Sequence, residues 1–392
     1  MKILMINTIA GNTAVGTIMD SIAKACIENG HEVFIASGYG VTQVAGCTQI
    51  MIGTKKDRLA HVIFTRINDS HGLHSTRPTL QLIDAIESIR PDIIHIHNLH
   101  GYYLNYPILI EFLKHTKIPI VWTMHDCWAM TGHCAYPQFS DCNKYKDATC
   151  HNCNQTNAYP KSFFDNSAKN IKTKKDTFSK FNNLHIVTVS QWLGDILNDS
   201  WLNGHPSYTI YNGIDTTLFS HKETECAEKE TILGVANVWT KDKGILEFIK
   251  LRKLISKKYK MLIIGANEVQ SKLIFDGVDI QKYISQKDLP QYYSNALATI
   301  NLSKAETFGM TIIESLACET PVISYDNTAP HEIISPDCGF LVATYNNQAI
   351  ADIINSGNIY NIKPKQCREK VLNSFTQEKM TSNYLYLYHQ LS

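Results

Sequence analysis

"LATINLSKAETFGMTIIESLACETPVISYD", residues 297–326, holds a complete strand–loop–helix–strand unit. The apolar run from Leu297 to Leu302 has strand character, "MTIIESLAC" has helical spacing, and "TPVISYD" is a second strand. Strands that alternate with helices in this way favour a parallel α/β sheet. Gly309 stands where the loop enters the helix and permits close backbone approach. The amides of Gly309, Met310 and Thr311 have no partner inside the helix, and such a helix start is a ready anion site. Glu306 lies in the loop before it and Glu314 more than one turn inside. A phosphate held at the amides therefore has a carboxylate on either side, and carboxylates suit hydroxyl-rich groups such as sugars and ribose. The plainer alternative is a helix start in which Thr311 and Glu314 form part of a capping box.

The same alternation extends outward in both directions. "KILMIN", "HEVFIAS", "DIIHIHN", "IPIVWTMHD" and "LHIVTVS" are short strands of an N-terminal half; "TILGVAN", "KMLIIGA", "LATINLS" and "TPVISYD" are strands of a C-terminal half. Two doubly wound α/β domains are expected, facing a crevice, with ligands beyond the carboxyl ends of the strands. The expected divisions are 1–204, 205–370 and a C-terminal helix in 371–392, packing outside the second sheet or back on the N-terminal domain. The chain has 392 residues, 44% hydrophobic and 19% charged, with a formal net charge of +1. That balance is globular and offers no broad attraction to nucleic acid. No apolar run is long enough to span a bilayer, and the start has the character of a first strand rather than an export signal. A reducing cytoplasm is the expected compartment, where thiols point to metal or burial rather than disulfides.

In the N-terminal half, His125 ends the strand "PIVWTMHD", with Asp126 placed to orient it or to cap the next turn. His95, His97 and His100 in "HIHNLH" favour packing in the core or a cleft over metal binding, and Asn98 shares their loop. Gly11 and Gly16 lie in the first strand-to-helix loop. Five of the eleven cysteines fall between Cys127 and Cys153. Cys134, Cys142, Cys150 and Cys153 have the composition of a tetrahedral structural zinc site, with His133 and His151 as substitutes and buried free thiols as the alternative. The basic, aromatic stretch 161–181 suits either an anionic membrane surface or a solvated connecting helix.

The segment from Glu306 to Glu314 resembles the E-x7-E signature of retaining glycosyltransferases of family 4, which have the GT-B fold of two Rossmann-like domains around a central cleft. "VTVSQWLGDILNDSWLNGHPSYTIYNGIDTTLF" is similar to the family's inter-domain passage. "PDIIHIHNLHGYYLN" and "TMHDCWAMTGHC" resemble a bacterial branch associated with exopolysaccharide and O-antigen assembly, so the resemblance covers nearly the whole chain. It implies a nucleotide-sugar donor, UDP- before GDP-, and a glycan acceptor, lipid-linked on the cytoplasmic face of a membrane. It implies that Glu314 binds ribose, Glu306 the donor sugar, and the Phe308, Gly309 and Met310 amides, with Thr311 beside them, the sugar or diphosphate. Lys243 would neutralise the diphosphate, His125 would face the donor sugar, and the loop with Gly16 would approach the donor phosphate. The family's partner arginine is missing: Asn237 stands there, with Lys241 as the available compensation. Glu319 replaces a common glycine. No D-x-D triplet occurs, so catalysis is expected to need no divalent ion. The alternatives are a sugar-nucleotide epimerase of the same fold or a sugar-nucleotide-binding protein with little turnover.

Overall fold

Short runs of buried aliphatic residues set the architecture. In the first, "KILMIN", Ile3 to Ile6 are all fully buried, as befits a strand covered on both faces. The computed structural model describes residues 1–11, 13–223, 229–266 and 277–392, and the chain divides into two compact units.

The first unit, Met1–Tyr211 with Met380–Ser392, is built on strands β1 (Lys2–Ala10), β2 (Glu32–Gly40), β3 (Thr48–Met51), β4 (Ile93–Ile96), β5 (Ile120–Met124), β6 (Leu184–Thr188) and β7 (Ser207–Thr209). All neighbours are parallel, in the order β3-β2-β1-β4-β5-β6-β7. The helix Ala14–Glu28 crosses from β1 to β2; the Thr13 hydroxyl caps its start, and it ends before Gly30, which has φ +77°. The second unit, Asn212–Lys379, contains β8 (Thr231–Val235), β9 (Lys260–Ile264), β10 (Val278–Gln281), β11 (Ala296–Asn301), β12 (Val322–Tyr325) and β13 (Gly339–Val342). Its order, β10-β9-β8-β11-β12-β13, is again all parallel. Both sheets thus have the Rossmann-like order, reversing direction between β1 and β4 and between β8 and β11. The core of the second unit includes Ile232, Phe248, Leu251, Met261, Ile263, Ile300 and Ile323. Gly234 leaves room for Phe248, whose Cζ lies 2.4 Å from where a Cβ would stand.

Two expected boundaries move. The first unit runs to Tyr211 rather than 204, because Ser207–Thr209 is a strand that extends the sheet beside β6. The three-residue run is exposed and carries no apolar pattern, so its pairing was invisible in the sequence. At the other end, the helix Pro364–Ser374 stays with the second unit, while Gln377–Leu391 is a separate helix that belongs to the first from Met380 onward. Its Tyr384 and Tyr388 are fully buried there. Among the described residues no helix is long and apolar enough to cross a membrane.

Candidate active site

In the second unit, the loops after β8 and β11 leave the sheet at its reversal point and are fastened to each other. Trp239 anchors the first loop, its Nε1–H donating to the Ile264 carbonyl at 2.9 Å. The Lys304 amide donates to the Asp242 carbonyl at 2.8 Å. Gly244 has φ +82°, and a Cβ there would lie 2.5 Å from the Leu302 Cβ and carbonyl; only glycine lets the two backbones come so close. These ties bring Lys243 Nζ to 2.7 Å from Glu306 Oε1, although the two are far apart in sequence. Both side chains are partly exposed, which limits what the pair adds to stability and leaves the ammonium accessible. The Glu306 amide donates to the Thr328 hydroxyl at 3.0 Å.

The helix Met310–Ala317 starts at Gly309, which has φ +110°. A side chain there would meet Ile312 Cδ1 at 2.8 Å. The capping-box alternative does not hold: Gly309 occupies the cap position, so Thr311 and Glu314 fall at the wrong places for that motif. Glu314 is buried inside the helix, and the Tyr293 hydroxyl donates to its Oε2 at 2.8 Å. Burial pushes its carboxyl up to about 7, with the Tyr293 hydrogen bond opposing the shift. Phe308 is buried with its ring 5.7 Å from that of Phe375; Met310 and Thr311 are half-buried at the helix start. Asn237 and Lys241 are both exposed on the loop that carries Lys243. Glu319 has φ +63°, which explains why a glycine suits that position.

In the first unit, buried histidines gather on β4 and in the loops that follow β4 and β5. His97 Nδ1 lies 3.0 Å from His125 Nε2, with the rings stacked at 5.3 Å. His95 packs 4.2 Å from His97 and hydrogen-bonds both the Thr123 hydroxyl, at 2.8 Å, and the Tyr388 hydroxyl, at 2.6 Å. Burial lowers His125 to about 4 and His95 to about 3, and holds His97 well below the usual range. Asp126 takes the capping role, and its charge also acts on His125. Its Oδ2 pairs with His100 Nε2 at 2.9 Å and its Oδ1 accepts the Trp128 amide at 2.8 Å, the capping alternative. Burial opposes its charge, yet His100, with Trp128 and His125, keeps the carboxyl below the usual range. His100 Nδ1 reaches the Tyr159 hydroxyl at 2.9 Å. Asn98 leads into this loop, its amide 3.4 Å from Asn7 Oδ1. Gly16 is a packing glycine: its amide donates to Thr13 Oγ1 at 3.0 Å, and a Cβ would stand 2.0 Å from the Gly11 carbonyl.

The structure thus groups Lys243, Glu306, Gly309 and Glu314 at one sheet end, and His95, His97, His100, His125 and Asp126 at the other sheet's. Tyr293, Tyr384 and Tyr388 are partners that local sequence did not reveal; each meets its residue only through tertiary packing.

Residues 15–218 match the family described as Glycosyltransferase Family 4, and residues 217–371 match Glycosyl transferases group 1. A putative colanic acid biosynthesis glycosyl transferase, WcaC of Escherichia coli, is 25% identical over 275 residues, 64% of each chain, so the match spans less than two thirds of that relative. Among solved structures, sucrose-phosphate synthase from Thermosynechococcus elongatus aligns over 100% of this chain and 98% of its own, with TM-score 0.75 and 17% identity. Anabaena HepE in complex with UDP aligns over 100% of both chains, with TM-score 0.70 and 14% identity. The fold is therefore GT-B, and with a family match that spans more than half of its length this chain belongs to glycosyltransferase family 4.

Proposed function

We propose that this protein transfers a sugar from a nucleotide-sugar donor, with UDP as the preferred nucleotide, to a lipid-linked glycan in cell-surface polysaccharide assembly, retaining the donor's anomeric configuration. The observation that carries the donor site is the grouping of Lys243, Glu306 and the glycine-led helix start at the reversal point of the second sheet, with buried Glu314 behind. The relatedness to WcaC supports the polysaccharide setting, and the UDP complex of HepE supports the choice of nucleotide.

In this reading Lys243 exchanges its Glu306 partner for the donor diphosphate. The helix-start amides at Phe308, Gly309 and Met310 add fixed dipoles, so negative charge developing on the leaving group meets preorganised donors. Glu306, released, accepts hydroxyls of the donor sugar, and Glu314 accepts the ribose hydroxyls. The departing diphosphate takes the acceptor's proton on the same face of the sugar, so no enzyme nucleophile is needed. His125, kept neutral by burial, acts as a hydrogen-bonding group toward the sugar and not as a cation. Nucleotide titration by calorimetry tests the donor assignment: Glu314→Ala should weaken UDP binding about 10- to 100-fold, the worth of a hydrogen bond to a charged group. Unchanged affinity contradicts it. NMR of the product's anomeric centre decides retention.

The neutral Asn237 in place of an arginine favours a second reading, donor binding with little turnover. A single-turnover assay with labelled donor separates the two, since bound donor that is never consumed supports the second.

The lipid-linked acceptor calls for membrane contact, and its expected location shifts. The helix Ser167–Phe178 buries Ile171, Lys174 and Phe178, so much of 161–181 is structural. The exposed apolar groups are Phe163 and Phe164, 71% and 64% exposed, and Leu59, Ile63, Phe64 and Ile67 of the helix Lys55–Asn68. The Phe163 amide donates to the Arg66 carbonyl at 2.7 Å, which places the two sets together. With Lys55, Lys56, Arg66 and Lys161 nearby in sequence, we propose that this face rests on anionic lipid. Co-sedimentation with anionic vesicles should fall on Phe163→Ser/Phe164→Ser; no binding at low salt removes the idea.

A further inference from the structure

We propose that Cys134, Cys142, Cys150 and Cys153 hold one structural zinc ion, with the Asp69–His133 pair and the Gly132 amide supporting the thiolates. The segment that carries them has little regular structure, only the short turns Trp128–Met130 and Pro137–Ser140. A loop this long in a packed domain needs some other restraint. All four cysteines line a single cavity of about 250 Å³, together with His133 and Gly132. No disulfide joins them.

Three further features sit around that cavity. The Gly132 amide donates to Cys150 Sγ at 3.3 Å, a contact that favours a thiolate. Only glycine permits it: a Cβ at Gly132 would lie 2.9 Å from Cys150 Cβ and 2.2 Å from the Ser167 carbonyl. His133 Nδ1 lies 2.5 Å from Asp69 Oδ1, both side chains being essentially fully buried. Its Nε2 is buried without a well-formed hydrogen bond, although the Gln155 backbone lies against the ring, and Cys153 acts on the ring electrostatically. A buried ring nitrogen in that condition calls for a partner. With Nδ1 fixed on a carboxylate, Nε2–H is free to donate to the Cys153 thiolate once a metal has displaced its proton, which is how outer groups tune metal ligands. Lys174, also buried, donates to the Trp128 and Thr131 carbonyls at 2.5 and 2.8 Å and so fastens the same turn. His151, the substitute ligand, lines the same cavity; its Nδ1 bonds the Thr149 carbonyl at 2.7 Å, which leaves Nε2 as its ligating atom.

Among the described residues no three such side chains stand at metal-holding geometry. The thiols therefore line the cavity without converging on its centre, and binding draws them inward as zinc replaces four thiol protons, leaving a shell of net charge −2. The inference is independent of the sugar-transfer reading, since its test does not use activity.

Full-length protein, expressed with added zinc and purified without chelator, is analysed for metal by mass spectrometry. About one zinc per chain is expected, released by a thiol-blocking mercurial. The Cys150→Ser/Cys153→Ser variant should lose it, whereas Cys47→Ser, outside the cavity, should keep it. Cobalt added to the zinc-stripped wild-type chain should give a thiolate-to-metal charge-transfer band, so the answer does not depend on a variant that fails to fold. His133→Gln should retain zinc but weaken it about 10- to 100-fold in a chelator competition, the usual effect of an outer-shell partner. Folded wild-type protein with neither zinc nor a cobalt–thiolate band overturns the site. Zinc retained in full by the double variant overturns the ligand set, and an unchanged affinity in His133→Gln overturns the supporting role of the Asp69–His133 pair.

Discussion

The two sheets share one strand order, yet the groups at their strand ends differ in chemistry. At the end of β8 and β11 stand ionisable groups in partial contact with water: Lys243 and Glu306 are 29% and 15% exposed. On β4 and just beyond β4 and β5 stand His95, His97 and His125, all buried and all held neutral. The topology provides a crevice in each case, and the loop residues decide what it can do. One end is built to receive and stabilise charge. The other offers a stiff wall of neutral histidines, braced by Tyr384 and Tyr388, with the Asp126 carboxylate held against His100.

That contrast can be broken experimentally, most forcefully at the charged end. Lys243→Ala should lower kcat about 100- to 1000-fold, the usual loss when a group stabilising the developing oxyanion is removed. A tenfold effect or less in a steady-state assay would move the charge stabilisation elsewhere, with exposed Lys241 the first candidate.

Glu314 gives the next largest effect, read in the protein without nucleotide. Its carboxyl is raised from 4.5 to about 7 in the fold. Between those values the folded chain holds a proton that the unfolded chain has released. Stability therefore falls as pH rises through that window, by up to about 3 kcal/mol, and levels off above it. Denaturant titrations across pH should show this slope and lose it in Glu314→Gln. A slope that persists unchanged in the variant points to other groups.

Gly309→Ala forces a side chain into a left-handed backbone and against Ile312. A loss of about 1–2 kcal/mol in thermal unfolding is expected, with weakened UDP binding. Full stability and affinity would mean that the loop adapts freely. The smallest effect belongs to the neutral end: Tyr388→Phe removes the hydroxyl on His95 Nδ1 and should cost about 1 kcal/mol. If it also abolishes turnover, the histidine wall takes a more direct part in transfer than its buried, neutral state implies.

Much of this was legible before any coordinates. Residues 297–326 form β11, the helix Met310–Ala317 and β12 as their apolar spacing required, with Thr299 opposite Val322. Glu306, Gly309 and Glu314 lie close in sequence, so one local pattern carried all three. Lys243 was legible only through resemblance, since its pairing with Glu306 depends on two loops crossing at Gly244 and Leu302. The capping role of Asp126 was legible, whereas its pairing with His100 was hidden, because the two stand 26 positions apart on separate loops. The 211/212 division was hidden because a three-residue edge strand has no pattern long enough to detect.

The sequence by itself determined the alternation of strands and helices, the glycines at the turns and the carboxylates beside them, because each is a matter of residues a few positions apart. Only the tertiary structure decided that Tyr293 meets Glu314, that Tyr388 reaches back to His95, and that His133 pairs with Asp69 beside four thiols. Those contacts join residues tens to hundreds of positions apart, and burial then sets their protonation. Packing brings such groups together and removes their water, and no local pattern encodes either.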